Sequence, residues 1–540
     1  MDRNISQPNQ PTQFWRVLAN SPHRAIALVF GLSFLVTASM GSLHWPVPLI
    51  HNEFAHLLTA DTIASGRFAN PTHPLFAFFE SIHILQQPSY AAKLPPGAGL
   101  FLGLGQRLGG DPVWGIWLTT AIATSAVYWA LWGYFKSPWA LGGTGLIFLD
   151  IGILHHWSQS YRGAMVAVLA GALMWGGLIR LIRRPKAVNA ILLAIGLGLL
   201  ANTRPLEGLF FALPTAVVLA GWLLQAPNRP MLKRRWQRGG LPLLVALVLV
   251  SSLTMAYNKA VTGNPLKFPY SVYEQQYTVV PAFLWQDYRP VPDFPNQQLQ
   301  KYSDWQAERF ERMRQKPLWR ILTLRTEDLL FDAANAWFWI FLLIIPLVYS
   351  AWIRQPWLQL AFISLLLLLS TRYLILPNRP DQLAPGTIAI ALLMTACVQK
   401  LVQAAAQRSK QKSRWPSWQQ VLLIAFLLYL LLKLPYKYAN PGFINGGVSE
   451  TPRARLVEVL TALPGKDVVI VRFNPQTSYK EAWVYNPADI DSATIIFAND
   501  LGDEANRQLL DYYLERQFWL QTFDAQGQPL PIQPYLSASD

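Results

Sequence analysis

Apolar runs close to the length of a membrane-crossing helix recur along this chain. Residues 25–40, AIALVFGLSFLVTASM, and 241–257, LPLLVALVLVSSLTMAY, are two of them. A helix needs about 20 such residues to cross a hydrocarbon layer roughly 30 Å thick. Of 540 residues, 52% are hydrophobic and 14% charged, against roughly 25% charged in an ordinary soluble domain. The pattern predicts a polytopic, mainly α-helical membrane protein. Spans are expected near 24–42, 112–135, 138–155, 162–181, 188–203, 206–224, 240–258, 333–353, 357–375, 383–404 and 418–435, about eleven in all.

The formal charge is +15. In a soluble domain that excess would raise nucleic acid as a partner. Here it gathers in short runs between spans: Arg180, Arg183, Arg184 and Lys186; Lys233, Arg234, Arg235 and Arg238; Lys400, Arg408, Lys410, Lys412 and Arg414. Such runs mark cytoplasmic loops, which argues against nucleic acid. The runs predict a multi-pass protein of the cytoplasmic (inner) membrane, with its N-terminus cytoplasmic. Residues 44–99, 259–332 and the C-terminal part then lie outside. Arg16 and Arg24 before the first apolar run read as an uncleaved signal-anchor. The stretch PPGAGLFLGLGQRLG, 95–109, is too short to cross and reads as re-entrant or interfacial. Cys397 is the one cysteine, so no intrachain disulfide forms and no cysteine metal site exists.

The first outer stretch, 44–99, is polar and histidine-rich in an otherwise oily chain. Glu53 to Ser65 reads as a helix, with Gly66 at its C-terminal cap. His56 shares a face with Glu53, three residues away. Leu75 to Gln87 reads as a second, amphipathic helix, with Glu80, His83 and Gln87 on its polar edge. In 259–332, TGNP opens a turn, tyrosine-rich PYSVYEQQY (269–277) follows, and Gln297 to Arg325 looks helical. The composition turns soluble from Glu450. DVVIVRF, ATIIFAN and FWLQTF read as strands, DEANRQLLDYYLERQ as a helix and Thr451–Pro452 as a helix start. This predicts transmembrane residues 1–435 and a small extracytoplasmic α/β domain at 450–540.

Several side chains are candidates for chemistry, each with a plainer reading. Glu53 has the right group to take a proton from an acceptor hydroxyl; equally, Asn52 and Glu53 fit a helix start as N-cap and first-turn acid. Lys93, on the stiff turn Lys93-Leu94-Pro95-Pro96-Gly97, suits a lipid-linked phosphate, or it snorkels to headgroups. Arg204 and Glu207 either contact a ligand or pair with each other. The histidines at 44, 51, 56, 73 and 83 lack recognisable metal-ligand spacing, so a divalent metal is a minor alternative and no cofactor is expected.

These residues also carry a resemblance. Residues 52–85, NEFAHLLTADTIASGRFANPTHPLFAFFESIHIL, and 90–106, YAAKLPPGAGLFLGLGQ, resemble bacterial membrane glycosyltransferase-like proteins of the GT-C superfamily, near the protein O-mannosyltransferases and lipid A aminoarabinose transferases. HHWSQSYRGAMVAVLAGAL, LLANTRPLEGL, YNKAVTGNPLKFPY and EAWVYNPADIDSATIIFA extend it over most of the chain. The resemblance implies a GT-C fold and a sugar moved from a polyprenyl-phosphate carrier to a lipid or glycan acceptor on the outer face. It implies Glu53, with Asn52 and Asp61, at the acceptor; Lys93, Arg162 and Arg204 at the donor phosphate; and His56, His73, Glu80, His83, Glu207 and Tyr270 around the cleft. Two departures stand out. Asn52 occupies a position where the family has Asp, and Asp381-Gln382 stand where a His-Tyr pair is usual. They leave open a relative that binds a lipid-linked sugar, or a partner protein, without transfer. A transporter fits less well, because few ionisable residues fall mid-span.

Overall fold

The structure is a computed structural model describing residues 21–149, 157–281, 283–287, 293–332, 355–374, 380–410 and 451–535. It is mainly helical. Helices α1 (Pro22–Leu43), α2 (His51–Ala64), α3 (Gly97–Gly109), α4 (Val113–Trp132) and α5 (Ser137–Phe148) come first. After them run α6 (Ala164–Arg183), α7 (Ala187–Ala201), α8 (Pro205–Leu224) and the long α9 (Arg229–Thr262), which contains a π-turn at Trp236–Gly240. Next are α10 (Pro269–Tyr277), α11 (Gln297–Arg314), α12 (Leu318–Asp332), α13 (Pro356–Leu374) and α14 (Thr387–Lys410). The last two helices are α15 (Pro452–Thr461) and α16 (Asp503–Tyr512).

Among the described residues, six helices are long and apolar enough to cross a membrane, including α1, α6, α8, α9 and α13. The sixth spans Asp381–Gln403. The expected spans at 333–353 and 418–435 lie outside the described residues. Helix α6 is the central post, packed against α4 and α7. Its seam with α7 depends on small residues. A Cβ at Gly196 would lie 2.7 Å from the Ala170 carbonyl oxygen, so the backbones approach as closely as small residues allow in membrane bundles. Leu213, Val217, Leu244, Val248 and Leu253 face outward from α8 and α9, as lipid-facing side chains do.

Helix α3 is 13 residues long, about 20 Å at 1.5 Å per residue, and too short to cross. It lies along α2 and α4. Cβ atoms at Gly99 and Gly103 would meet Thr59 and Ala60 of α2.

Strands β1 (Ile84–Leu85) and β2 (Ala91–Ala92) form an antiparallel ribbon in the first loop. Strands β3 (Asp467–Val471), β4 (Ile495–Asn499), β5 (Gln517–Gln521) and β6 (Gln533–Pro534) make a second sheet of order β4-β3-β5-β6. Strand β3 pairs in parallel with both β4 and β5, while β6 is antiparallel to β5. This sheet packs on the first loop: Phe54, Phe78, Phe79 and Tyr90 share one apolar cluster with Val468, Ile470, Tyr485 and Ile496.

Three local expectations change. Leu75 to Gln87 is not a helix. Only Phe76–Phe79 makes a 3-10 turn, Glu80 is extended, and His83 sits at φ 73, a left-handed conformation that no helix accommodates. Helix α2 begins at His51 with Ile50 as N-cap, so Asn52 is the second helical residue and not the cap. The expected 297–325 helix is broken at Gln315–Pro317 into α11 and α12.

Candidate active site

Glu53 is the third residue of α2. Its Oε2 accepts from the backbone N–H of Leu49 at 2.7 Å and of Ile50 at 3.3 Å, closing the first turn. Its Oε1 faces Arg162 Nε at 3.4 Å. Glu53 is only 1% exposed. Burial raises its carboxyl above the usual range, and neither Arg162 nor the two backbone N–H groups cancel the effect.

Arg162 is delivered by the segment before α6. There Gly163 has φ 73, and a Cβ on it would lie 2.3 Å from Ala98 Cβ, so the chain turns tightly over the start of α3. Tyr161 donates to the Pro46 carbonyl at 3.0 Å. Gln159 donates to Thr37 O at 2.8 Å and accepts from Trp117 Nε1 at 3.3 Å. The Arg162–Glu53 pair is therefore anchored from both strands of chain.

The Lys93 turn is the second half. Lys93 N donates to His83 O at 3.0 Å as β2 ends. Its side chain is buried, with the ammonium 4.2 Å from the Tyr273 ring centre and 5.3 Å from that of Tyr270, within cation–π reach. Gly97 N donates to Asn202 O at 2.7 Å, and a Cβ there would lie 2.6 Å from that same oxygen. The Lys93 turn thus seats on the 202–204 turn. Arg204 pairs with Asp381, itself buried, and not with Glu207. Glu207 is buried in the first turn of α8.

Aromatic rings join the two halves. His51 and His83 stand edge to face with centroids 6.3 Å apart, and His83 meets Tyr273 at 6.0 Å and Tyr302 at 5.8 Å. His51 Nδ1 is 2.9 Å from the Tyr485 hydroxyl, and Tyr485 donates to the Ile82 carbonyl at 2.5 Å. Tyr273, Tyr302 and Tyr485 were not among the sequence-predicted residues, and His51 and Asp381 entered only as a metal candidate and as a departure from the family pattern. The tyrosine density of 269–277 was the one local signal for Tyr273; ring partners such as His51 and Tyr485 lie hundreds of residues apart.

The remaining predicted residues sit elsewhere. Asn52 is half-buried beside Glu53. His56 is buried one turn further along α2. Asp61 lies eight residues from Glu53, about 12 Å along the helix; its oxygens accept from Gln106 Nε2 at 2.9 Å and Ala488 N at 2.7 Å. His73 accepts from Leu75 N through Nδ1 and lies 3.1 Å from Asp491 through Nε2. Glu80 accepts from the Tyr277 hydroxyl at 3.0 Å, and burial raises its carboxyl despite that bond. The structure therefore brings Glu53 to Arg162 and Lys93 to Tyr270, and sets Asp61, His73 and Glu80 as ties to other segments. Among the described residues, no group of three or more His, Cys, Asp or Glu is placed to hold a metal ion.

No family model matches the sequence, and no curated protein matches it. Solved structures do resemble it in arrangement. ArnT from Cupriavidus metallidurans, bound to undecaprenyl phosphate, matches 95% of this chain and 94% of its own at 12% identity and TM-score 0.49. The Archaeoglobus fulgidus oligosaccharyltransferase tethered to an acceptor peptide matches 94% of this chain and 69% of its own, at 11% identity and TM-score 0.46. AglB from the same archaeon, with an inhibitory peptide and a dolichol-phosphate, matches 92% and 69% at 12% identity and TM-score 0.39. Sequence identity to them is 11–12%, and the chemistry of this chain rests on its own residues.

Proposed function

We propose that the chain is a membrane glycosyltransferase that moves a sugar from a polyprenyl-phosphate-linked donor to a lipid or glycan acceptor at the outer membrane face. The observation that carries this reading is the buried Glu53 carboxylate beside Arg162, next to the start of α3 and the Lys93 turn. Burial raises the Glu53 carboxyl above the ordinary carboxylate range, which makes its ionised form a stronger base. Glu53 takes the proton of the acceptor hydroxyl as that oxygen attacks the anomeric carbon. The carbon–phosphate-oxygen bond breaks in the same displacement, and the lipid phosphate leaves with the electron pair, inverting the sugar. Lys93, Arg162 and Arg204 stabilise the charge that develops on it, helped by the positive end of α3.

The proposed orientation, with the site outside, the N-terminus cytoplasmic and the host membrane the inner one, rests on charge. Helices α6 and α8 begin at the site and run to the 180–186 and 229–238 basic clusters at their far ends. A count of about eleven spans and an extracytoplasmic 450–540 domain belong to the same proposal. Transfer of labelled sugar from undecaprenyl-phosphate donors, by the protein in liposomes, tests the activity. Wild-type transfer that persists in Glu53→Gln, with the protein folded, sinks the assigned base.

One observation favours a second reading, binding without transfer. Glu53 already serves the α2 turn and Arg162 with both oxygens, and Asn52 brings no second charge. Saturable donor binding with no transfer from any polyprenyl-linked sugar selects it.

A further inference from the structure

A cavity of about 390 Å3 opens where three segments distant in sequence meet. The ends of β3 and β4 give it Arg472, Phe473, Asn499 and Asp500, and the start of α11 gives it Asn296 and Gln297. Its size falls in the usual range for small-molecule sites, roughly 300–1,000 Å3. It lies off the carboxyl ends of two parallel strands, where open α/β sheets commonly take their ligands.

Asn499 is 2% exposed. Its amide nitrogen donates to the Phe78 and Glu80 carbonyls, both at 2.9 Å, which fixes the amide's direction. Its Oδ1 is buried and has no hydrogen-bond partner among the described residues. A buried acceptor left this way carries a desolvation cost, which a ligand donor that reaches it from the cavity offsets. Arg472 and Asp500 form an ion pair at the same cavity, with Arg472 half-exposed. Asp500 also accepts from Gly502 N and Asn506 Nδ2, which holds its carboxylate in place. Phe473 supplies an apolar wall, stacked on Phe523 at 5.7 Å.

We infer that this cavity is a saccharide subsite, separate from the Glu53 site, that docks the glycan part of the acceptor. A hydroxyl donates to Asn499 Oδ1, and the Asp500 carboxylate in the lining disfavours an anion such as phosphate. The Arg472–Asp500 pair offers a donor and an acceptor side by side, matching neighbouring hydroxyls of one ring. Phe473 covers the ring's C–H face. Assigning the ligand to the acceptor rests on the proposed transferase reading; saccharide binding at the cavity does not.

The test is saturation-transfer NMR and calorimetry on the full chain in nanodiscs, with glucose, mannose, N-acetylglucosamine and lactose as probes and inorganic phosphate as the charged control. At least one saccharide is expected to bind, and phosphate not to compete with it. Arg472→Ala is expected to weaken that binding about 10- to 100-fold through loss of a charge-assisted contact. Gln297→Trp, which fills the mouth from an exposed position, is expected to abolish it. Both variants should keep the wild-type thermal transition. Glu53→Gln should bind saccharide as wild type does, so a dead transferase still reports on the cavity. Three results overturn the proposal: no saccharide binds, binding survives both cavity variants, or phosphate displaces the sugar.

Discussion

Helix α2 carries two carboxylates with different surroundings. Glu53, near its start, is sealed from water, closes the first turn and faces Arg162. Asp61, two turns on, is half-buried and holds Gln106 of α3 and the backbone of Ala488. Desolvation dominates at Glu53 and raises its carboxyl. The same residue class on one helix thus supplies the proposed base at one end and a clamp at the other. Environment separates the two roles, and sequence spacing does not.

The largest effect that can break this contrast is on the chemical step. Glu53→Gln is expected to lower kcat by about 10²- to 10⁴-fold, the usual worth of a general base, while donor binding persists. Its pH behaviour sharpens the point. The base must be ionised, so wild-type kcat/KM should fall as pH drops through the raised folded pKa, before 4.5 is reached. Stability carries the matching sign. Between the unfolded value and the raised folded value the folded state holds a proton the unfolded chain has lost, so stability falls as pH rises across that window. Urea unfolding of Glu53→Gln should lose that slope. An unchanged slope would remove Glu53 from the raised-pKa role.

Next in size is Lys93. Lys93→Ala should raise the donor KM about 10- to 100-fold, from the loss of roughly 1.5–3 kcal/mol of charge-assisted contact. Lys93→Arg should recover part of it. Radiolabelled-donor titrations in liposomes read both, and equal KM values for all three proteins would return Lys93 to headgroup snorkelling. Asp61 supplies the counterpart. Asp61→Ala should cost about 1–3 kcal/mol of stability, because the buried Ala488 N–H and Gln106 amide lose their acceptor. The folded fraction should keep its kcat. A kcat loss as large as that of Glu53→Gln would erase the contrast between the two ends of α2.

Much of this was open to sequence reasoning, for physical reasons. Span-length apolar runs announce themselves because a bilayer filters on length, and the basic runs at 180–186 and 233–238 carry the proposed orientation. Gly66 was read as a helix end, and it is one: Gly66 N donates to Ile63 O and Arg67 N to Thr62 O, the paired bonds of a Schellman motif. Other features were hidden. Phe76, Phe79 and Ile82 show helical spacing, yet they are buried by tertiary packing around a 3-10 turn, and β4 lies against that turn. Asn52 is the stronger capping residue by type, but Glu53 reaches back from the third position and makes Ile50 the cap. Arg204 found Asp381, 177 residues away, in place of its neighbour Glu207. Ring pairs such as His51–Tyr485 exist only once the C-terminal sheet docks on the first loop.

The smallest effect concerns Asn52, and it tests whether one end of α2 can hold two acids. Adjacent helical residues point about 100° apart, and Asn52 is half-buried where Glu53 is sealed. An added carboxylate in the first turn meets the positive end of the helix, worth roughly 0.3–1 kcal/mol. The same charge beside Glu53 opposes its ionisation and raises its carboxyl further. Asn52→Asp is therefore expected to keep or raise transfer at neutral pH, with a small gain in stability. The acid limb of its kcat/KM profile should move to higher pH. The pH–rate profile of Asn52→Asp against wild type reads this directly. A limb that stays in place shows that the two side chains do not sense each other, and that Glu53 acts alone at its end of the helix.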